Sequence, residues 1–197
     1  MEIYNEEFDF EGYEYPPKKI VCVYFVPRSG SNFLADEMRK TGLLGYPLEY
    51  FSGGNMARLR KRMPNITRGL LWPIIEKRTS PNGVFSFKWN SNYGGPTIIS
   101  PDYKIFIDRK DLDAQAKSFV IAEKTGDWLK VGNAGYGPSK GEIEYAKQRL
   151  SDMRLSTLKM LNEYRAFYFE DLIEDSEGVI SNILEYIDEG YEDTDNS

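Results

Sequence analysis

VYFVPRSGSNFL, residues 23–34, joins an apolar run to a helix-like segment through Pro27, Arg28, Ser29, Gly30 and Ser31. Upstream, IVCVYFV over 20–26 is continuously apolar and rich in β-branched residues, which predicts a strand buried on both faces. Downstream, NFLADEMRKTG over 32–42 sets Leu34 and Met38 four apart and stops at Gly42, as a short helix does. A doubly buried strand feeding directly into a helix is the opening of a parallel α/β sheet. The first strand-to-helix turn of such a sheet lies at its carboxyl edge, where ligands bind. There the helix start offers free backbone N–H groups and roughly half a unit of positive charge. Ser31 and Asn32 suit a helix cap or an anion, Gly30 allows close backbone approach, and Arg28 adds a planar fork of donors. These residues read as a phosphate site or as a plain connection. The GxxxxGK[ST] loop of nucleotide hydrolases is absent, together with its lysine.

The rest of the chain continues the alternation. GVFSFKW (83–89), DYKIFIDR (102–109) and RAFYFEDLI (165–173) read as three further strands. DLDAQAKSFVIAEKTG (111–126) places Leu112, Ala116, Phe119 and Val120 on one helical face and ends at Gly126. Residues 139–164 form one long helix or a broken pair, and SEGVISNILEYI (176–187) is a last helix capped by Ser176. The expected architecture is a three-layer α/β domain whose central, mostly parallel sheet is flanked by helices. Its expected bounds are 20–188, between an acidic lead-in (1–19) and an acidic tail (189–197), both read as solvated.

Composition narrows the chemistry. The 197 residues include no histidine and one cysteine, so the usual zinc sites and any Ser-His or Cys-His nucleophile are excluded. A general base has to be a carboxylate, a lysine, a tyrosine or a water chain. Cys22 lies in an apolar run and reads as a core residue of a protein from a reducing cytoplasm. A net charge of −6 argues against a nucleic-acid partner. No run is long enough to span a bilayer, and MEIYNEEFDF is acidic where a signal peptide is basic, so a cytoplasmic protein with no membrane span is expected.

PRSGSNFL followed by TGLLGYPLEYF (41–51), RTSPNGVFSFKW (78–89) and IDRKDLDAQAKSFVIAEKTGDW (107–128) occur in the order seen in one enzyme family. The chain resembles the nucleotide-dependent sulfotransferases, more narrowly the trehalose 2-sulfotransferase type. That resemblance implies a P-loop-like fold and transfer of a sulfuryl group from 3′-phosphoadenosine-5′-phosphosulfate to a hydroxyl of a carbohydrate or glycolipid-type acceptor, without a metal. It implies that Arg28, Ser29, Gly30, Ser31 and Asn32 hold the 5′-phosphosulfate, and that Arg109 and Ser118 hold the 3′-phosphate. It also implies Glu49 as general base, Arg28 facing the bridging and leaving oxygens, and Lys88 on the sulfuryl group or the acceptor.

Each assignment has an ordinary structural alternative. Arg109 pairs with Asp108 or Asp111, Lys88 is a solvated lysine at a strand end, and Glu49 is a surface loop residue. Trp89 reads better as core than as a stacking platform. A carboxylate flanked by Leu48, Tyr50 and Phe51 is set to be held partly out of water. Asn32 stands where the family commonly has Thr or Ser, and NSNYGGPTIISPDY (90–103) is shorter than the corresponding family stretch. The acceptor and a homodimer therefore stay open. Two rivals share the same residues. One is a small-molecule kinase-like phosphotransferase, disfavoured by the missing lysine and Mg²⁺-holding pair. The other is a catalytically degenerate nucleotide-binding or scaffold protein of the same fold.

Overall fold

A computed structural model of the chain describes residues 5–12, 16–67, 71–90, 99–128 and 135–189. Strand β1 (Lys19–Phe25) leads into helix α1 (Ser31–Lys40), followed by α2 (Gly53–Arg62), α3 (Trp72–Arg78), β2 (Val84–Asn90) and β3 (Tyr103–Asp108). Then come α4 (Leu112–Thr125), α5 (Lys140–Met160), β4 (Arg165–Tyr168), α6 (Phe169–Glu174) and α7 (Ser176–Glu189). The four strands form one parallel sheet in the order β2-β1-β3-β4. The apolar run that opens the chain's alternation is thus an interior strand, paired with β2 from Lys19 to Phe25 and with β3 from Val21 to Phe25.

Because side chains alternate across a strand, β1 feeds two cores. Val21, Val23 and Phe25 pack with Leu34 and Met38 of α1 and with Val179, Ile180 and Ile183 of α7. Cys22 and Tyr24 point the other way, into a larger cluster with α2, α3, α4 and α5. Helices therefore cover both faces of the sheet, giving the three-layer α/β architecture that the alternating pattern predicts. Cys22 is fully buried, and burial pushes its thiol pKa up. Trp89 sits edge-on to Phe87 within the larger core, as a structural tryptophan. No helix among the described residues is long and apolar enough to cross a membrane.

Three local expectations change and one open alternative is decided. The strand expected over 165–173 stops at Tyr168, and α6 begins at Phe169. β4 edges the described sheet with only Phe167 buried, while Glu170 and Asp171 in the next turn favour a helix start. Residues 139–164 settle as one helix over Lys140–Met160, opened by a capping box between Ser139 and Glu142. The cap of α7 is Asp175 rather than Ser176, its Oδ1 accepting from the Gly178 N–H at 2.9 Å. Helix α1 has Gly30 at its cap position in the left-handed region (φ 86°), and no side chain caps it.

The acidic lead-in is also not wholly solvated. Asp9 accepts from both Arg62 NH1 (3.0 Å) and Arg62 NH2, and its Oδ1 lies 3.3 Å from Arg78 Nε. Arg78 is completely buried and donates to the carbonyls of Phe8 (3.1 Å) and Asn5 (3.0 Å). The Phe10 N–H donates to Lys77 O at 2.8 Å. An ion pair so placed is costly to break, because the remaining partner stays buried without its counter-charge. The tail from 190 onward lies outside the described residues. Asp9→Ala should lower stability by about 3 kcal/mol, read in urea titration as a lower midpoint with an unchanged slope.

Candidate functional site

The carboxyl ends of β1, β2 and β3 open into a cleft of about 850 Å3. Arg28, Gly30, Ser31, Asn32, Glu49, Lys88, Arg109 and Ser118 all line it. Eight residues from five separate stretches of sequence thus face one space. Ser29 is the exception among the residues named from sequence. It is fully buried, its hydroxyl has no hydrogen-bond partner among the described residues, and its N–H closes the turn onto Val26 O at 3.2 Å.

The turn is built under constraint. Arg28 has φ 66°, and among the described residues no other non-glycine residue adopts a positive φ. Such a backbone costs an L-residue roughly 1–2 kcal/mol and persists only where its surroundings hold it. Gln115 Nε2 donates to Pro27 O at 2.9 Å, Arg28 Nε donates to Ser118 Oγ at 2.7 Å, and Arg28 NH1 donates to Trp128 O at 2.6 Å. Three contacts from α4 and its exit therefore pin the turn. At Gly30 the reason for glycine is double. Its φ is left-handed, and a Cβ there would lie 2.2 Å from Phe169 Cδ2.

Phe169 also carries Arg109, whose guanidinium carbon lies 4.7 Å from the ring centroid. Arg109 NH1 reaches Arg28 O at 3.5 Å. Its Nε is buried without a hydrogen bond, and the nearest carboxylate is Glu170 at 3.7 Å. The alternative pairing of its side chain with Asp108 or Asp111 does not form, although the Arg109 backbone N–H donates to Asp108 Oδ1 at 2.8 Å. Asp108 is taken by Arg154 (2.9 and 2.6 Å), and Asp111 caps α4 through the Ala114 N–H at 2.8 Å. Arg28 and Arg109 thus share one wall. Burial pulls the Arg28 pKa down, Arg109 pulls it further, and Asp127 opposes both.

The other pole centres on Lys88. Far from being a solvated strand end, it is 3% exposed, with its ammonium bonded to Asn32 Oδ1 and 5.4 Å from the Phe25 ring centroid. Burial pulls its pKa to about 8, against the pull of Glu49 and Asp36. Glu49 sits half-buried beside β2, held by its backbone. The Lys88 N–H donates to Leu48 O at 2.9 Å, and Asn55 Nδ2 donates to Glu49 O at 3.0 Å. Between the two poles lies the uncapped start of α1, whose first-turn N–H groups have no intrahelical acceptor.

Phe169 and Glu170 escaped the sequence reading because a continuous strand was expected through them. Glu170 accepts from the N–H groups of Lys110 (2.9 Å) and Asp111 (3.1 Å), tying α6 to the start of α4. The acidic pair at the start of FEDLIE was the available signal. Asn55 and Arg58 of α2 also line the cleft and had no signal beyond being polar. No protein-family model matches the chain, and no curated protein matches it.

Gly30→Ala should destabilise the fold by about 1–3 kcal/mol. In the Gly30→Ala/Phe169→Ala double variant the two losses should fall short of additivity, since the clash is removed while the backbone strain remains. Lys88 gives a pH signature. Between about 8 and its ordinary 10.5, the unfolded chain holds a proton that the folded chain has released. Stability from this group therefore rises with pH across that window and is flat below it. The difference in melting temperature between wild type and Lys88→Met should shift in favour of wild type from pH 7.5 to 10. An unchanged difference would contradict the buried ammonium.

Proposed function

We propose that this protein is a sulfotransferase that moves the sulfuryl group of 3′-phosphoadenosine-5′-phosphosulfate to a hydroxyl of a carbohydrate or glycolipid-type acceptor. The observation that carries the reading is convergence on one wall. Arg28 meets Ser118 from 90 residues away and Arg109 from 81, beside an uncapped helix start. Guanidiniums, a hydroxyl and free amides together suit a nucleotide with phosphates at two positions. Arg109 lines the cleft with its guanidinium N–H groups engaged, among the described residues, only by a long contact to Arg28 O (3.5 Å) and by Glu170 at 3.7 Å, which suits an anion entering from the cleft.

The roles follow from position. Arg109 and Ser118 take the 3′-phosphate, and the amides from Gly30 to Phe33 face the 5′-phosphosulfate. Arg28 exchanges the Ser118 hydroxyl for the bridging and leaving oxygens. Lys88, aimed from β2 and steadied by Asn32, balances charge on the moving sulfuryl oxygens. The acceptor oxygen forms a bond to sulfur as the bond from sulfur to the 5′-phosphate oxygen breaks, and the leaving bisphosphate keeps that electron pair. Glu49 takes the acceptor's proton, a part that no histidine of this chain can play. The sulfuryl group carries less charge than a phosphoryl group, so fixed cations and amides suffice for its in-line transfer.

Thermal melting with 3′-phosphoadenosine-5′-phosphate, ADP and Mg-ATP tests the donor site. At a hundred times its dissociation constant the bisphosphate should add about 2.7 kcal/mol of stability, with the other two far behind. A response to Mg-ATP alone, or none to the bisphosphate, overturns the proposal. Arg28→Ala and Arg109→Ala should each weaken bisphosphate binding by about 1.5–3 kcal/mol. Glu49→Gln should bind it normally and lose turnover; full activity there would remove Glu49 as base. Binding without turnover on any hydroxyl acceptor would leave a nucleotide-binding scaffold.

A further inference from the structure

The wall of the cleft beyond Glu49 is built by α2 and the first turn of α1. Asn55 and Arg58 lie three residues apart on α2, so their side chains project from one helical face. Asn55 spends its amide N–H on the Glu49 backbone carbonyl, which ties this face to the Glu49 segment, and both residues line the cleft. Of the arginines at the end of α2, Arg60 donates to Ile66 O at 3.2 Å and Arg62 is held by Asp9. Arg58 lines the cleft and has no hydrogen bond or ion pair among the described residues. Phe33 also lines the cleft, with 38% of its surface exposed. A large ring left in water on a cleft wall is an apolar platform, of the kind that sugar C–H faces pack on.

These observations describe a second recognition surface. Arg28 and Arg109 already share one wall, so the donor's phosphates have their own cations. Arg58 is an exposed cleft-lining guanidinium that no described side chain occupies, on the same helical face as Asn55, so it is available as a fork of donors to a bound anion. We infer that the acceptor is an anionic sugar, a hydroxylated ring bearing a carboxylate or phosphate that Arg58 grips while Phe33 supports the ring and Asn55 contributes its side-chain oxygen. This rests on the sulfotransferase reading and adds the acceptor's class to it. Arg58 is a specificity-determining residue that reads the substituent beside the reacting hydroxyl.

The test separates the two claims. The protein is first saturated with 3′-phosphoadenosine-5′-phosphate, whose binding is measured independently. It is then titrated with glucuronate, glucose 6-phosphate, glucose and glucosamine, followed by ligand-observed NMR. The two anionic sugars should bind about tenfold more tightly than glucose, the scale of one charged hydrogen-bonded contact. Arg58→Gln should close that gap, and Arg58→Glu should reverse the order in favour of glucosamine. Bisphosphate binding should be unchanged in both variants. Equal binding of all four sugars, binding of none, or an order insensitive to Arg58 overturns this inference while leaving the donor site intact. Weakened bisphosphate binding in the Arg58 variants also overturns it, by assigning Arg58 to the donor. Failure of the wild-type protein to bind the bisphosphate defeats the underlying reading instead.

Discussion

β1 is hydrogen-bonded on both edges, to β2 along its whole length and to β3 from Val21 onward. The backbone leaving it at Val26 therefore has almost no freedom of position, and the turn that follows has to reverse into α1 within five residues. It does so by placing Arg28 and Gly30 in the left-handed region, with Ser29 buried between them. Everything at the cleft depends on that turn being held. The Gln115 amide, the Ser118 hydroxyl and the Phe169 ring each press on it from another element. A local conformation that is unfavourable in isolation is over-determined by its neighbours, as strained functional turns require.

The charges around the turn are organised in two different ways. Asp9, shared by Arg62 and Arg78, and Asp108, held by Arg154, form ion pairs that fasten elements together. Arg28, Arg109 and Lys88 are cations held at the cleft with less compensation, and burial works against the charged forms of Arg28 and Lys88. Keeping like charges together at low exposure is electrostatically costly. Under the proposed function an anion in the cleft would offset that cost, with Arg28 giving up the Ser118 hydroxyl to meet it.

Phe169 links these two levels. Its ring fills the space left by Gly30 on one side and supports the Arg109 guanidinium on the other. It stands at the junction where β4 ends and α6 begins, an edge position with little packing of its own. The early helix start at α6 is what brings the ring, and Glu170 behind it, to the carboxyl edge of the sheet.

What the sequence determined by itself were the features that local pattern encodes. A continuously apolar, β-branched-rich seven-residue run bounded by turn residues reads as a doubly buried strand, and alternation of such runs with amphipathic segments points to a parallel, helix-covered sheet. That topology already places Arg28, Lys88 and Arg109 at one edge, because each follows or ends a strand. Tertiary structure decided what pattern cannot carry. It buried Lys88 against Asn32, gave Asp108 to Arg154 instead of Arg109, and withdrew the Ser29 hydroxyl from the cleft. It also recruited Phe169 beneath the loop, and it drew part of the acidic lead-in onto two arginines. Each of these is a choice among partners far apart in sequence, settled by which side chain three-dimensional packing brings within a few ångströms, and no local periodicity records such distances.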